Sequence, residues 1–183
     1  MATLSTTAWV LHDLGLAAGF GGNLFGQLAL NPAVKVIDSK EQRSKVSHAA
    51  WDRYKTVNAI ALAATAGTWL IGRAALSGRE VGQTSRELTL VKDVLVLGAF
   101  TTGVGALVTG TLLDNELTRP VPIESGHYAA PETPPRVARL QKIVNVVGAL
   151  NVAFEAGVLA LTTVLAMKAG KSSKWSLVSQ LLP

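Results

Sequence analysis

The sequence contains no cysteine and few charged or aromatic residues. The absence of cysteine excludes disulfide bonds, thiolate metal ligands, thiol nucleophiles and lipid attachment through a thiol. Charged residues make up 16% of the chain and apolar residues 49%, whereas soluble domains carry about 25% charged residues. The composition therefore argues against a soluble globular domain, and a length of 183 residues suits one compact unit.

The net charge of +5 comes from basic residues that lie between apolar runs. Such residues suit contact with anionic lipid headgroups better than with nucleic acid, so membrane lipid is the predicted partner. No Lys or Arg precedes the first apolar run, and His12 and Asp13 interrupt it. This pattern differs from that of a signal peptide and predicts an uncleaved first span.

Four apolar runs are long enough to cross a bilayer core, which takes ~20 residues in a helix. They lie at about residues 9–30, 54–76, 90–113 and 137–167, and residues 168–183 form a basic amphipathic tail that contains Trp175. The sequence therefore predicts an all-α integral membrane protein in which residues 1–183 form a single domain with four transmembrane helices.

Two of the connections carry clear signals. Asn31-Pro32 is expected to end span 1. Ser39 followed by Gln42 is typical of a capping box and predicts a helix that begins outside the membrane and continues into span 2. The connection after span 3 contains five prolines and is predicted to be an extended, ordered cap.

The two halves of the sequence resemble each other. Lys55-Thr-Val-Asn58 recurs as Lys142-Ile-Val-Asn145, and a stripe of small residues in span 1 recurs in span 3. The two stripes are Gly15, Gly19, Gly22 and Gly26, and then Gly98, Thr102, Gly105 and Thr109. Small residues at this GxxxG-like spacing let helices pack closely. The prediction is a parallel internal repeat of two similar helical hairpins.

Glu155 lies near the middle of span 4. An ionisable side chain at that depth costs at least ~2.5 kcal/mol on insertion scales and is a functional candidate by default. Three roles are open: a proton carrier, a general base, or an anchor for a ligand. The structural alternative is hydrogen bonding between helices, for which a glutamine would serve without the ionisation cost.

Five amide side chains are predicted to lie in one half of the bilayer, on the same side of Glu155, because each residue of a helix rises 1.5 Å. They are Asn23, Gln27, Asn58, Asn145 and Asn151. The pattern predicts a polar funnel that binds a ligand, and interhelical hydrogen bonding is the alternative, above all for the symmetric pair Asn58 and Asn145. Four further side chains are predicted at its mouth: His48, Arg53, His127 and Arg139.

No metal or cofactor is predicted. A haem between helices would need paired histidines on facing spans, and only His12 lies within a span. Lys92 and Asp93 occupy the first turns of span 3, where they are expected to extend towards the headgroups.

One family resemblance rests on spans 1 and 2. A glycine-rich span ends in Asn31-Pro32-Ala33, and a charged segment (DSKEQRSKV) then leads to Trp51-Asp-Arg-Tyr-Lys55. This arrangement resembles the small four-helix membrane proteins of the anthrone oxygenase-like group. The resemblance implies oxidation of polycyclic aromatic substrates without an evident cofactor, and it assigns no catalytic residue.

The leading functional hypothesis is a small membrane protein that binds a lipophilic or protonatable small molecule, or that is an accessory subunit of a larger membrane complex. One alternative is an oxygenase- or isomerase-like enzyme with Glu155 as general base, and another is a small proton-coupled transporter. A homo-oligomer fits these hypotheses. The predicted location is the plasma (inner) membrane. Six Lys and Arg residues lie within residues 31–55, directly after span 1, and none precedes span 1, which favours an N-terminus outside.

Overall fold

The computed structural model describes residues 2–76, 83–116 and 121–171, and within these ranges the protein is all-helical, with one isolated bridge and no strand. Four long helices are present: α1 (Ala2–Phe25), α2 (Lys40–Leu76), α3 (Gln83–Glu116) and α4 (Pro135–Lys171). The prediction of an all-α bundle of four helices is thus confirmed. Most of the predicted tail, with Trp175, lies outside the described residues.

The helical path continues past Asn31-Pro32, contrary to the prediction that it ends there. α1 leads into a π-helical turn at Gly26–Leu30, one α-helical turn at Asn31–Ala33 and a 3-10 turn at Val34–Val36. Asn31 N–H donates to Gly26 O, five residues back. Pro32 removes one backbone donor but has a φ angle that suits a helix. The helix therefore takes in one extra residue in the turn before Pro32 instead of ending there.

α2 begins where the capping box predicts. Ser39 Oγ accepts a hydrogen bond from Gln42 N–H at 3.3 Å, and Ser39 O accepts one from Arg43 N–H at 3.0 Å. The first bond satisfies a donor that the first turn of a helix leaves without a partner, and the second is the first regular backbone bond of the helix. The helix then runs without a break through the predicted span 2.

The helices are paired in chain order. α1 packs chiefly against α2, and α3 packs chiefly against α4. Smaller contacts between α2 and α3, and between α1 and α4, join the two hairpins. Residues that belong to different hairpins therefore meet along these two seams.

Residues 121–134 form a non-helical cap segment at one end of the helices. Its isolated bridge joins Ile123 and Ala129. Gly126 N–H donates to Asn31 O at 2.9 Å, while the Gln141 side-chain amide donates to Ser125 O at 3.1 Å. The segment is thus tied both to the end of the α1 path and to α4, as expected of an ordered cap.

Several polar residues lie inside the bundle beside a small apolar core, and many large apolar residues lie on its surface. Lys92, Asn151 and Glu155 are at most 3% exposed, whereas Leu28 is 72% and Leu70 68% exposed. Among the described residues, two segments, Glu87–Glu116 and Pro135–Met167, are long and apolar enough to cross a membrane. In each, 17% of the most apolar window is buried. The described parts of α1 and α2 do not pass this test.

Candidate functional site

Asn23 is the centre of a hydrogen-bonded cluster at the middle of the bundle. Its Nδ2 lies 2.8 Å from Asn151 Oδ1, 3.3 Å from Asn58 Oδ1 and 3.3 Å from Glu155 Oε2. Asn151 Nδ2 in turn donates to Ala99 O on α3 at 2.7 Å. The cluster therefore includes a residue from each of the four helices.

The side-chain nitrogen of Asn23 has fewer protons to donate than it has acceptor oxygens around it. An amide nitrogen carries two protons, and three oxygen atoms lie within hydrogen-bond distance of it. The short contact to Asn151 takes one proton. Asn58 and Glu155, at equal distances, share the other, so the side chain of Asn23 holds the amide and the carboxylate together.

The glycines of α1 make room for side chains of other helices. A Cβ at Gly19 would lie 2.7 Å from Glu155 Oε1, and one at Gly15 would lie 2.9 Å from Ala61 O on α2. At Gly22 and Gly26 a Cβ would overlap the rings of Tyr54 and Trp51 respectively. Only Gly15 thus permits a close approach of two backbones, and the other three accommodate a carboxylate and two aromatic rings.

These two aromatic residues are also hydrogen-bonded to the α1 path. Tyr54 Oη donates to the carbonyl oxygens of Ala18 and Gly19, at 2.9 and 3.0 Å. Trp51 Nε1 donates to Asn31 Oδ1 at 2.9 Å. These hydrogen bonds fix the α1 path against α2.

A cavity of about 140 Å³ lies between the two hairpins, beside the cluster. Asn23 and Asn58 contribute polar groups from α1 and α2, while Leu107 and Val144 contribute apolar wall from α3 and α4. Gly126 of the cap segment also lines it. The cavity is therefore bounded by both hairpins and by the cap segment, and its walls combine polar and apolar side chains.

Asp114 joins two basic side chains on the wall of this cavity. Its Oδ1 lies 2.9 Å from His48 Nδ1, and its Oδ2 pairs with Lys55 Nζ. All three residues line the cavity. Sequence reasoning missed Asp114 and Lys55 as site residues. The sequence does contain a signal for this pair, because it places the two opposite charges at the same end of spans 2 and 3.

Not all of the residues predicted for the funnel line the cavity. Those that do are Asn23, Gln27, Asn58, Asn145 and His48. Asn151 and Glu155 belong to the cluster beside it. Arg53 and Arg139 are exposed and do not line it.

Two of the predicted residues hold the cap segment. Asn145 Nδ2 donates to the carbonyl oxygens of His127 and Gly126, at 2.9 and 3.2 Å. His127 Nε2 lies 2.8 Å from Gln27 O, at the π-helical turn. Asn58 and Asn145 match in the sequence repeat, yet one lies in the central cluster and the other anchors the cap.

Lys92 does not extend towards the surface as expected. It is 0% exposed, and its Nζ lies 4.3 Å from the ring centroid of Trp69 and 5.2 Å from that of Trp9. An ammonium group over indole faces gains a cation–π attraction that substitutes for hydration. Trp69 Nε1 donates to Asp93 Oδ1 at 2.8 Å, so the lysine is enclosed by a ring that is itself fixed.

The described residues contain no group of three or more histidine and carboxylate side chains that could hold a metal ion. No family model, no curated protein and no solved structure matches the chain. The functional conclusion therefore depends on the cavity and its surroundings alone.

Acid is expected to loosen the cap segment. Lys40 Nζ lies 2.6 Å from Glu124 Oε1, and this hydrogen bond holds the pKa of Glu124 below its ordinary value of 4.5. A lowered carboxyl pKa stabilises the folded state above the unfolded pKa, and this contribution is lost as pH falls through the folded pKa. The protection of the Ile123 amide, which donates to Lys40 O at 3.3 Å, should therefore fall below pH 4.5.

Hydrogen exchange, corrected for the intrinsic rate at each pH, measures this protection. In Lys40→Met the protection should be reduced already at neutral pH and should change less on acidification. A protection factor at Ile123 that is the same in both proteins and constant through the acid range would contradict the prediction.

Proposed function

We propose that the protein crosses a membrane four times, as two helical hairpins. The support is the distribution of side chains on all four helices. On α1 and α2, Leu14 is 62%, Phe25 64% and Ile60 65% exposed, while the buried positions hold Asn23 and Asn58. In water this surface would be a large apolar patch. In lipid it is the expected exterior, and the polar side chains satisfy one another inside.

We further propose that the protein binds a small, ring-sized lipophilic molecule in the cavity between the hairpins. The observation that carries this proposal is the cavity itself, with a volume of about 140 Å³. An engineered apolar cavity of about 150 Å³ binds benzene. Apolar walls with a small number of amide groups are the usual features of a small-molecule site, because the former provide affinity and the latter orientation.

The position of Glu155 favours binding over catalysis by this residue. Glu155 is 3% exposed and does not line the cavity, and Asn23 stands at both the cavity and the carboxylate. A general base must come within hydrogen-bond reach of the proton that it removes. Glu155 therefore acts through Asn23, as a group that fixes the amide at the cavity wall.

Filling the cavity tests the proposal. The probe is 4-nitroanisole, an apolar single-ring molecule with hydrogen-bond acceptors, and its binding to the full chain in detergent is measured by equilibrium dialysis. Ala106 lines the cavity, so Ala106→Phe should weaken binding at least about tenfold, equivalent to 1.4 kcal/mol. Native mass spectrometry of the protein in mild detergent would identify a ligand that co-purifies.

Val108 provides the matched control on the same helix. It is 54% exposed and lies outside the cavity lining, so Val108→Phe should bind the probe as the unchanged protein does. Absence of saturable binding in the unchanged protein, or equal binding by Ala106→Phe, would show that the cavity is not a binding site for this class of molecule.

A further inference from the structure

We propose that His48 and Asp114 form a proton-accepting pair and that the ligand of the cavity is a weak acid, with one ionisable O–H group on an apolar ring. This inference rests on the proposed function, because the ligand must occupy the cavity to reach His48. It adds to that function the chemical class of the ligand and a step of proton transfer.

The contact with Asp114 orients the imidazole. His48 Nδ1 lies 2.9 Å from Asp114 Oδ1, and a carboxylate oxygen can only accept, so the proton resides on Nδ1. In the neutral ring the lone pair is then on Nε2. Because His48 lines the cavity, the accepting nitrogen belongs to a side chain that a bound ligand can contact.

The charges at the cavity favour an acid over an amine. Asp114 pairs with Lys55, whose Nζ also lies 3.5 Å from Asp52 Oδ1. Asn23 and Gln27 from α1, and Gln141 and Asn145 from α4, are neutral. A cationic ligand would meet Lys55 and a carboxylate that is already paired. An anion beside protonated His48 would instead balance the added positive charge.

The proton transfer is reversible and involves no change of oxidation state. The O–H bond of the ligand breaks and its electron pair stays on oxygen, while the Nε2 lone pair of His48 forms the new N–H bond. The imidazolium donates through Nδ1 to Asp114 and faces the ligand anion through Nε2. When the ligand leaves as the neutral acid, the proton returns to it.

The remaining walls suit the same ligand. Leu107 and Val144 provide an apolar surface for the ring, and the amides of Gln27 and Asn58 supply N–H donors. Ionisation of the O–H group would be unfavourable in an apolar cavity without a cation. The proton that moves to His48 supplies that positive charge.

A pair of probes separates proton transfer from binding. 4-Nitrophenol and 4-nitroanisole share the ring and the nitro group, and only the former has an ionisable O–H; the visible absorption of 4-nitrophenolate reports its ionisation. In the full chain in detergent, bound 4-nitrophenol should ionise at a pH about one unit below that of the free compound, a tenfold change in its ionisation constant. The protein should also bind 4-nitrophenol more tightly than 4-nitroanisole.

Three variants test the residues. His48→Gln should abolish the shift in ionisation and lower the affinity ratio of the two probes towards one. Asp114→Asn should reduce both effects, because an amide can donate to Nδ1 and favour the other tautomer. Arg53→Gln, an exposed change on the same helix as His48, should bind both probes like the unchanged protein. Binding of 4-nitroanisole shows that each variant is folded.

The outcomes distinguish this inference from the proposed function. If the unchanged protein binds both probes with equal affinity and does not shift the ionisation of 4-nitrophenol, the proton-accepting role is wrong and the binding function stands. A shift that persists in His48→Gln also overturns the role. If neither probe binds, the proposed function fails, and this inference fails with it.

Discussion

Gly22→Ala destabilises the folded protein by about 1–3 kcal/mol, the usual cost of an added methyl group in a packed interior. The new Cβ would overlap the Tyr54 ring. Tyr54 cannot move without lengthening its hydrogen bonds to the carbonyl oxygens of Ala18 and Gly19. The change therefore loosens α1 from α2 as well as crowding the contact, and a larger residue such as valine should have a greater effect.

Gly21 supplies a control one residue away. A Cβ at Gly21 would meet no atom within 4 Å, so Gly21→Ala should be neutral or stabilising by up to about 1 kcal/mol, the difference in helix propensity. Unfolding in a titration of mild detergent with a denaturing one, followed by circular dichroism, measures both. Equal responses of the two variants would contradict the packing of Tyr54 against Gly22.

Asn23→Leu should be the most damaging change in the central cluster, at about 2–3 kcal/mol of stability, because it leaves buried acceptors without their donor. Asn23 is 7% exposed and its Nδ2 serves Asn58, Asn151 and Glu155. Single hydrogen bonds between membrane helices average only about 0.6 kcal/mol. The larger value is expected here because one nitrogen serves three oxygens, one of which belongs to a carboxyl group.

A double-mutant cycle measures how strongly the carboxyl group of Glu155 depends on Asn23. If the carboxyl group of Glu155 depends on Asn23, then Glu155→Leu should cost much less in the Asn23→Leu background than in the unchanged protein, with a coupling energy of about 0.5–3 kcal/mol. Asn23 also lines the cavity, so Asn23→Leu should weaken binding of 4-nitroanisole. Additive effects on stability would mean that Asn23 does not stabilise the carboxyl group.

The sequence predicts the helices well because their signals are local. The Ser39–Gln42 pair marks the start of α2, and prolines exclude a helix from the cap segment. The π-helical turn before Pro32 could not be predicted, because a proline in a helix either ends it or distorts it. The choice depends on contacts such as the Trp51 hydrogen bond to Asn31, which form only in the folded protein.

The composition of the central cluster follows in part from helix geometry. The rise per residue places Asn23, Asn151 and Glu155 at related depths, and the structure brings their side chains together. Depth alone does not say in which direction around the helix axis a side chain points. It could not show that Glu155 lies beside the cavity and Asp114 on its wall, nor that Asn145 anchors the cap.

Burial of Lys92 was unpredictable for a different reason. A lysine near a helix end is expected to reach water. That expectation fails only if neighbouring side chains stabilise the ammonium group as water would. Here the faces of Trp9 and Trp69 do so, and these rings come from α1 and α2 while the lysine comes from α3. Contacts among three helices are beyond the reach of local sequence patterns.

The pairing of the helices has a consequence for the order of assembly in a membrane. If the protein crosses a membrane as proposed, apolar helix faces gain little by leaving lipid for one another. Polar contacts between the hairpins would then provide the specific attraction, among them the hydrogen bonds from Asn23 to Asn151 and Glu155 and the pairing of Asp114 with Lys55. Both hairpins contribute polar and apolar side chains to the cavity. Neither hairpin alone contains it, so the proposed ability to bind a ligand would arise only when the two hairpins dock.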